Sequence, residues 1–129
     1  MSYIDVPDMA VEYLRGLGYA DTHLKRLDAM TGREGIVVRR IPSTVTAREY
    51  GKRQQVSYLY QVIVRNRSER RAMELADELC RALDTAEIES GNGSYEFVAQ
   101  EVYTPPQELT LDEAGFFAHE FRIRAYIVV

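Results

Sequence analysis

The sequence has few of the residues that protein active sites commonly use. It contains one cysteine, Cys80, and two histidines, His23 and His119. A single cysteine excludes an internal disulfide and a multi-cysteine zinc site, and it fits a reducing cytosol. The only lysines are Lys25 and Lys52. The carboxylates therefore lack the nearby lysine that a nuclease-like site normally adds.

Long apolar runs are also missing. No run approaches the roughly 20 residues of a bilayer span, and the amino-terminal MSYIDVPDM has neither a cationic nor a continuous apolar region. We therefore expect no membrane span, no signal peptide, and a protein that stays where it is made. The 129 residues are 46% hydrophobic and 28% charged, which is typical of globular proteins and predicts a single domain over residues 1–129.

The charges are unevenly distributed along the chain. Residues 33–71 contain ten arginines and lysines against three glutamates, whereas residues 72–121 contain twelve carboxylates against Arg81 alone. The net charge of −4 hides this separation. If the two segments form different surfaces, copies of the molecule can attract one another.

The stretch VSYLYQVIVRNRSERRAMELADEL changes its apolar period from two to about 3.6. Alternating apolar residues on both faces of 56–65 predict a central strand. Ser68 is a suitable N-cap for a following helix, whose apolar stripe contains Ala72, Leu75, Ala76, Leu79, Cys80 and Leu83. Arg70 and Arg71 lie in its first turn, where the helix dipole disfavours cations. Their position suggests a role other than helix stability.

The remaining elements are predicted from shorter patterns. Asp5 and Pro7 indicate the start of a helix with Met9, Tyr13, Leu14 and Leu17 on its apolar face, ended by Gly16 and Gly18. Residues 19–35 are ambiguous between a turn of helix and a loop. GIVVRRIP predicts a strand, and residues 43–55 predict a basic loop. YEFVAQEVY predicts a strand closed by Pro105-Pro106, and QELTLDEAG predicts an acidic loop. FFAHEFRIRAYIVV predicts a final strand. The predicted class is α+β, a four-stranded largely antiparallel sheet with helices on one face, in the order α-β-β-α-β-β.

Enzymatic chemistry has weak support in these patterns. His119 shares the parity of Phe117 and Phe121 and is interpreted as a partly buried structural histidine, while Cys80 lies on a buried helix stripe. Carboxylates that could pair for acid/base or metal chemistry are interpreted as solvated strand and loop faces; they are Glu96, Glu101, Asp112, Glu113 and Glu120. We expect no catalytic residue, no metal and no cofactor.

Nucleic-acid binding is an alternative function. The basic segment 39–71 interleaves arginines with tyrosines, and such residues neutralise phosphates and stack on bases. Against this, the whole chain is acidic with a pI near 5.2, and the strand tyrosines alternate as core residues do.

Over about residues 33–128 the layout resembles the tail terminator family of long-tailed bacteriophages, also known as tail completion or minor capsid proteins. The resemblance is carried by GIVVRRIPS, by QVSYLYQVIVRNRSERRAMELADELCRALD and by YTPPQELTLDEAGFFAHEFRIRAYIV. It implies a non-enzymatic virion subunit of a phage or prophage, assembled in the bacterial cytoplasm. Such a subunit forms a ring, usually a hexamer, on the head-proximal end of the tail tube. The ring stops tube growth and offers a surface for the head.

The implied partners are other copies of the chain, the major tail tube protein and a head-completion or connector protein, with DNA only passing through the ring. A ring needs a heterologous interface, and separated basic and acidic segments offer two complementary patches. Exposed ion pairs contribute little individually, so the charges would orient subunits more than hold them, and the free subunit can be monomeric. The candidate interface residues are Arg39, Arg40, Arg48, Lys52, Arg53, Arg65, Arg67, Arg70, Arg71, Glu108, Asp112 and Glu113.

Overall fold

The computed structural model describes residues 3–24, 34–42, 48–50, 53–109 and 115–129. The elements in chain order are α1 (Val6–Gly16), β1 (Thr22–Leu24), β2 (Gly35–Arg40), β3 (Arg48–Tyr50), β4 (Arg53–Asn66), α2 (Glu69–Asp84), β5 (Glu96–Glu108) and β6 (Phe117–Val128). Within these residues, neither helix has the length and apolar content of a bilayer span.

The strands form one mixed sheet in the order β1-β2-β4-β6-β5, and β3 pairs with the start of β4. Only β1 and β2 run parallel; the other pairs are antiparallel. The α+β class and the central position of β4 are confirmed. The predicted four strands and element order were wrong, because β1 and β3 have three residues each, too few for alternation to be visible in the sequence.

Strand β5 continues through Pro105 and Pro106, which were predicted to end it. β5 is the outer strand of the sheet, and an edge strand tolerates residues without an N–H donor. Its pairing with β6 shifts register between Thr104 and Gln107, where both prolines lie. The predicted acidic loop therefore starts later, since Gln107 and Glu108 still belong to β5; residues 110–114 lie outside the described residues.

Both helices pack on one face of the sheet, as predicted. The core cluster joins Leu14 of α1 and Leu79 of α2 to Tyr60, Val62 and the other residues of that parity in β4. The predicted stripe of α2 is buried except Leu75, which is partly buried. In α1 only Leu14 of the predicted stripe is fully buried, and Leu17 is 51% exposed. The fully buried positions of α1 also include Val6 and Ala10, which the sequence prediction did not select.

The other face of the sheet differs in character. Val37, Leu59 and Ile63 are buried there, but they lie outside the cluster that the helices join. The same parity carries polar and charged side chains of β4 and β6, including Gln61 and Glu120, which are also buried. No helix of the described ranges packs against this second face.

Candidate self-association surfaces

At the joint between β4 and α2, two arginines contact an aromatic ring of the same molecule. The guanidinium carbons of Arg65 and Arg67 lie 4.4 and 4.8 Å from the ring centroid of Phe116. Phe116 is 1% exposed and directly precedes β6. Each cation is attracted to the negative face of the ring. These two arginines therefore fasten the joint to the start of the last strand.

The first turn of α2 has a capping serine and an arginine whose charge is offset by nearby carboxylates. Ser68 accepts a hydrogen bond from the backbone N–H of Arg71 at 3.2 Å, which confirms the predicted N-cap. The Arg71 guanidinium lies 3.5 Å from a Glu74 carboxylate oxygen and 3.8 Å from one of Glu78. These carboxylates offset the unfavourable position of a cation in the first turn. Arg70 is exposed.

The arginines of β2 lie on opposite faces of the sheet. Arg39 Nε donates to Gln61 Oε1 at 2.6 Å on the helix-free face. Arg40 lies 5.3 Å from the ring centroid of Tyr58, on the helix-covered face. Burial raises the pKa of Tyr58 to about 12, and Arg40 partly opposes this. Arg39 and Arg40 therefore do not contribute to the same surface, which counts against one basic patch along β2 for the nucleic-acid alternative.

One pair of opposite charges from the two segments meets within the molecule. Arg53 donates to Glu96 at 2.9 Å, which joins the basic segment to the acidic segment. This pair and the contacts of Arg71 bring cations of the basic segment beside carboxylates of the acidic segment at two places. Glu108 is exposed at the end of β5. Of the remaining candidates, Lys52, Asp112, Glu113 and the side chain of Arg48 lie outside the described residues.

The described groups considered for catalysis have separate partners and different environments. His23 bonds to Asp21 at 2.6 Å near the surface, while His119 is 7% exposed in β6. Burial, followed by Asp84 and Asp77, raises the pKa of Cys80 to about 11, which is the opposite of an activated thiol. Among the residues the structure describes, no three His, Cys, Asp or Glu side chains group as metal ligands. Glu96, Glu101 and Glu120 bind three different partners.

The helix-free face brings together side chains that the sequence did not combine into one surface. Arg39, Gln61 and Arg122 align across β2, β4 and β6. Arg122 Nε donates to the buried Glu120 at 2.9 Å. Arg124 lies 4.5 Å from the centroid of Tyr103, and Tyr126 donates to Glu101 at 2.7 Å. We call the group Arg39, Tyr103, Arg122, Arg124 and Tyr126 the open face. Alternation in β6 already placed Arg122 and Arg124 together; their neighbours depend on strand register.

Asp5 has a different role from the predicted one. It precedes α1, but its side chain makes no capping hydrogen bond. The carboxylate instead accepts backbone N–H donors of Gly91 and Asn92 at 2.9 and 3.2 Å. It also accepts hydroxyl donors of Ser90 and Ser94 at 2.8 and 3.1 Å. Backbone amides of a tight turn commonly form such anion-binding concavities. Here the anion comes from the same chain, and it fixes α1 to the SGNGS turn.

Comparison with known proteins gives a family for this architecture. A family model described as bacteriophage tail terminator protein matches residues 13–129. The match extends the resemblance toward the amino terminus and includes the last turn of α1. Among solved structures, a chain of the "Virion of native gene transfer agent (GTA) particle" superimposes with a TM-score of 0.62 at 14% identity, covering 93% of this chain and 92% of that one. No curated protein matches the chain.

Proposed function

Because the chain belongs to the bacteriophage tail terminator family, we propose that it assembles as a ring on the head-proximal end of a tail tube, ends tube polymerisation and provides the surface for head joining. The observation that carries this proposal is the family match over residues 13–129. The similar fold of a chain in a phage-like virion particle supports a structural tail protein. The proposed role is structural and non-enzymatic.

The proposed partners are the major tail tube protein on one side of the ring and a head-completion or connector protein on the other. Further copies of the chain lie within the ring, and DNA only passes through it. The proposed place of assembly is the bacterial cytoplasm, and the final location is the tail. A hexamer is the stoichiometry that the family resemblance suggests, and the free subunit can be a monomer.

Part of the charge that could orient subunits in a ring is used within the fold. Arg53 and Arg71 are neutralised in part by Glu96, Glu74 and Glu78 of the same molecule. Arg65 and Arg67 stabilise the fold through Phe116. These contacts favour a subunit contact that uses smaller surfaces, among the described residues that remain exposed after folding, over one that uses segment 33–71 as a whole.

A tube-capping experiment tests the function. The tail tube protein encoded with this chain is polymerised alone and with the purified chain, and tube lengths are measured by electron microscopy. The expected result is shorter tubes of narrow length distribution, with a ring of extra density at one end. Unchanged lengths and bare tube ends would contradict the proposal.

A further inference from the structure

The open face has the composition of a protein-binding surface. Tyr103 is 48% exposed, and Val98, at another position of β5, is 53% exposed. Arg122 retains 37% side-chain exposure beside its bond to Glu120. Exposed tyrosine and arginine side chains on a rigid strand are the residue types that dominate interface energetics. Within the described part of the chain, the buried Nε of Arg124 has no hydrogen-bond partner.

A second surface runs along one side of α2. Met73, Asp77, Cys80 and Asp84 follow at spacings of four, three and four residues, which places them on one strip of the helix. Met73 is 49% exposed, and Asp77 and Asp84 are exposed. No described cation forms an ion pair with either aspartate. Asp84 and Asp77 raise the pKa of Cys80 by more than Arg81 lowers it, so the strip is negative at its buried border. We call Met73, Asp77 and Asp84 the α2 strip.

The two surfaces are complementary in charge and in the types of side chain that they expose. The open face offers guanidinium groups beside an exposed tyrosine, and the α2 strip offers unpaired carboxylates beside an exposed methionine. Arginine pairs favourably with carboxylates, and a flexible thioether packs well against an aromatic ring. We propose that the open face of one copy binds the α2 strip of the next copy.

The position of the two surfaces makes this contact directional. Helix α2 packs on the sheet face opposite the open face, so the two surfaces of one molecule cannot touch each other. Binding between different patches of identical copies is heterologous, and it produces a closed ring when the rotation between copies allows it. This inference rests on the proposed function, because it names the contact by which the terminator ring would form.

Charge exchange tests the contact. Arg124→Glu and Asp77→Arg are made singly and together, and rings on tail tubes are counted by electron microscopy. Each single change places like charges opposite each other, so we expect ring occupancy at limiting protein to fall about tenfold. The double variant restores an opposite pair and should recover most of the occupancy. Glu12→Arg, at an exposed position of α1, is the matched control and should assemble normally. Thermal unfolding of each variant verifies that it is folded.

Cysteine cross-linking tests the same contact independently. A disulfide traps the contact between copies even when a substitution weakens it slightly. Tyr103→Cys and Asp77→Cys are combined in a Cys80→Ala background, and rings on tail tubes are oxidised. Covalent oligomers up to a closed ring are the expected product. Rings that form normally but never cross-link, with all charge variants active, would overturn this contact and leave the terminator function intact. If the unaltered chain forms no ring on tubes, both proposals fail.

Discussion

The Asp5 carboxylate accepts a hydrogen bond from the backbone N–H of Gly91 at 2.9 Å, across 86 positions of sequence. Asp5 is 5% exposed and is surrounded by four donors of the SGNGS turn. A buried carboxylate is stable only when such donors replace its water. The contact therefore decides where α1 begins and how it is held against the turn before β5.

Replacing Asp5 should destabilise the fold more than an ordinary surface change does. Asp5→Ala removes the buried acceptor of two backbone N–H groups and two hydroxyl groups, and we expect a loss of about 3 kcal/mol in the free energy of unfolding. Urea unfolding followed by circular dichroism measures it. Asp8→Ala, in the first turn of α1, is the control and should cost far less. Equal stability of the two variants would show that the turn holds its shape without the carboxylate.

Gly91 is the part of this contact that has no room for a side chain. A Cβ at this position would lie 2.8 Å from Met9 Sδ and 3.3 Å from Asp5 Oδ2. We expect Gly91→Ala to cost about 1–2 kcal/mol, because the methionine and the carboxylate must both move. Gly16→Ala, where no atom lies within 4 Å, should leave stability unchanged or raise it. Adding Met9→Ala to Gly91→Ala should recover part of the loss, and no recovery would place the strain elsewhere.

The sequence predicted the long elements correctly because each has many residues of regular period. β4 alternates over most of its 14 residues, and α2 keeps one apolar stripe over 16. It failed for β1 and β3, which are too short to show a period. It also failed at Pro105-Pro106, because whether proline ends a strand depends on that strand being at the edge of the sheet.

The candidate surfaces were predictable only in part. The parity of β6 groups Arg122 with Arg124, but which groups face them depends on register between strands distant in sequence. The Asp5 contact depends on a turn 86 positions away, and local rules assign such an aspartate to helix capping. The arginines at the strand-helix joint were visible as a cluster. Their use of Phe116 required the three-dimensional fold.

The contact between Phe116 and the exposed Arg67 predicts a measurable coupling energy between these two residues. Phe116→Leu removes the ring under two guanidinium groups, and Arg67→Met removes one charge while keeping a long apolar stem. In a double-mutant cycle we expect a coupling energy of about 0.5–1 kcal/mol, typical of a cation over an aromatic ring near the surface. Denaturant unfolding of the four proteins provides the values. Strict additivity would mean that Arg67 stabilises the joint through its stem alone.

Alkaline pH should destabilise the fold through its buried phenols. Burial raises the pKa of Tyr58 from 10.0 to about 12, and it also raises the pKa values of Tyr60 and Tyr95. The unfolded chain loses these protons first, so the stability that they contribute is complete below pH 10 and falls as the pH rises above it. Urea unfolding between pH 8 and 11.5 measures the slope. Tyr58→Phe removes one contributor and should make the slope shallower; an unchanged slope would count against a shifted Tyr58.

The thiol of Cys80 should react slowly with alkylating reagents in the folded protein. Its pKa of about 11, raised from 9.0 by burial and then by Asp84 and Asp77, leaves about a hundredfold less thiolate at pH 8 than an unperturbed cysteine has. With iodoacetamide and mass spectrometry as the readout, the alkylation rate should rise about tenfold per pH unit up to pH 10 and level off only near 11.

Asp84→Asn removes one of the two carboxylates, so it should lower the pKa of Cys80 and speed its alkylation at pH 8. Asp8→Asn, on α1, is the control. A rate that levels off near pH 9 in the folded protein, with no effect of Asp84→Asn, would contradict the assignment of a negative border to the α2 strip.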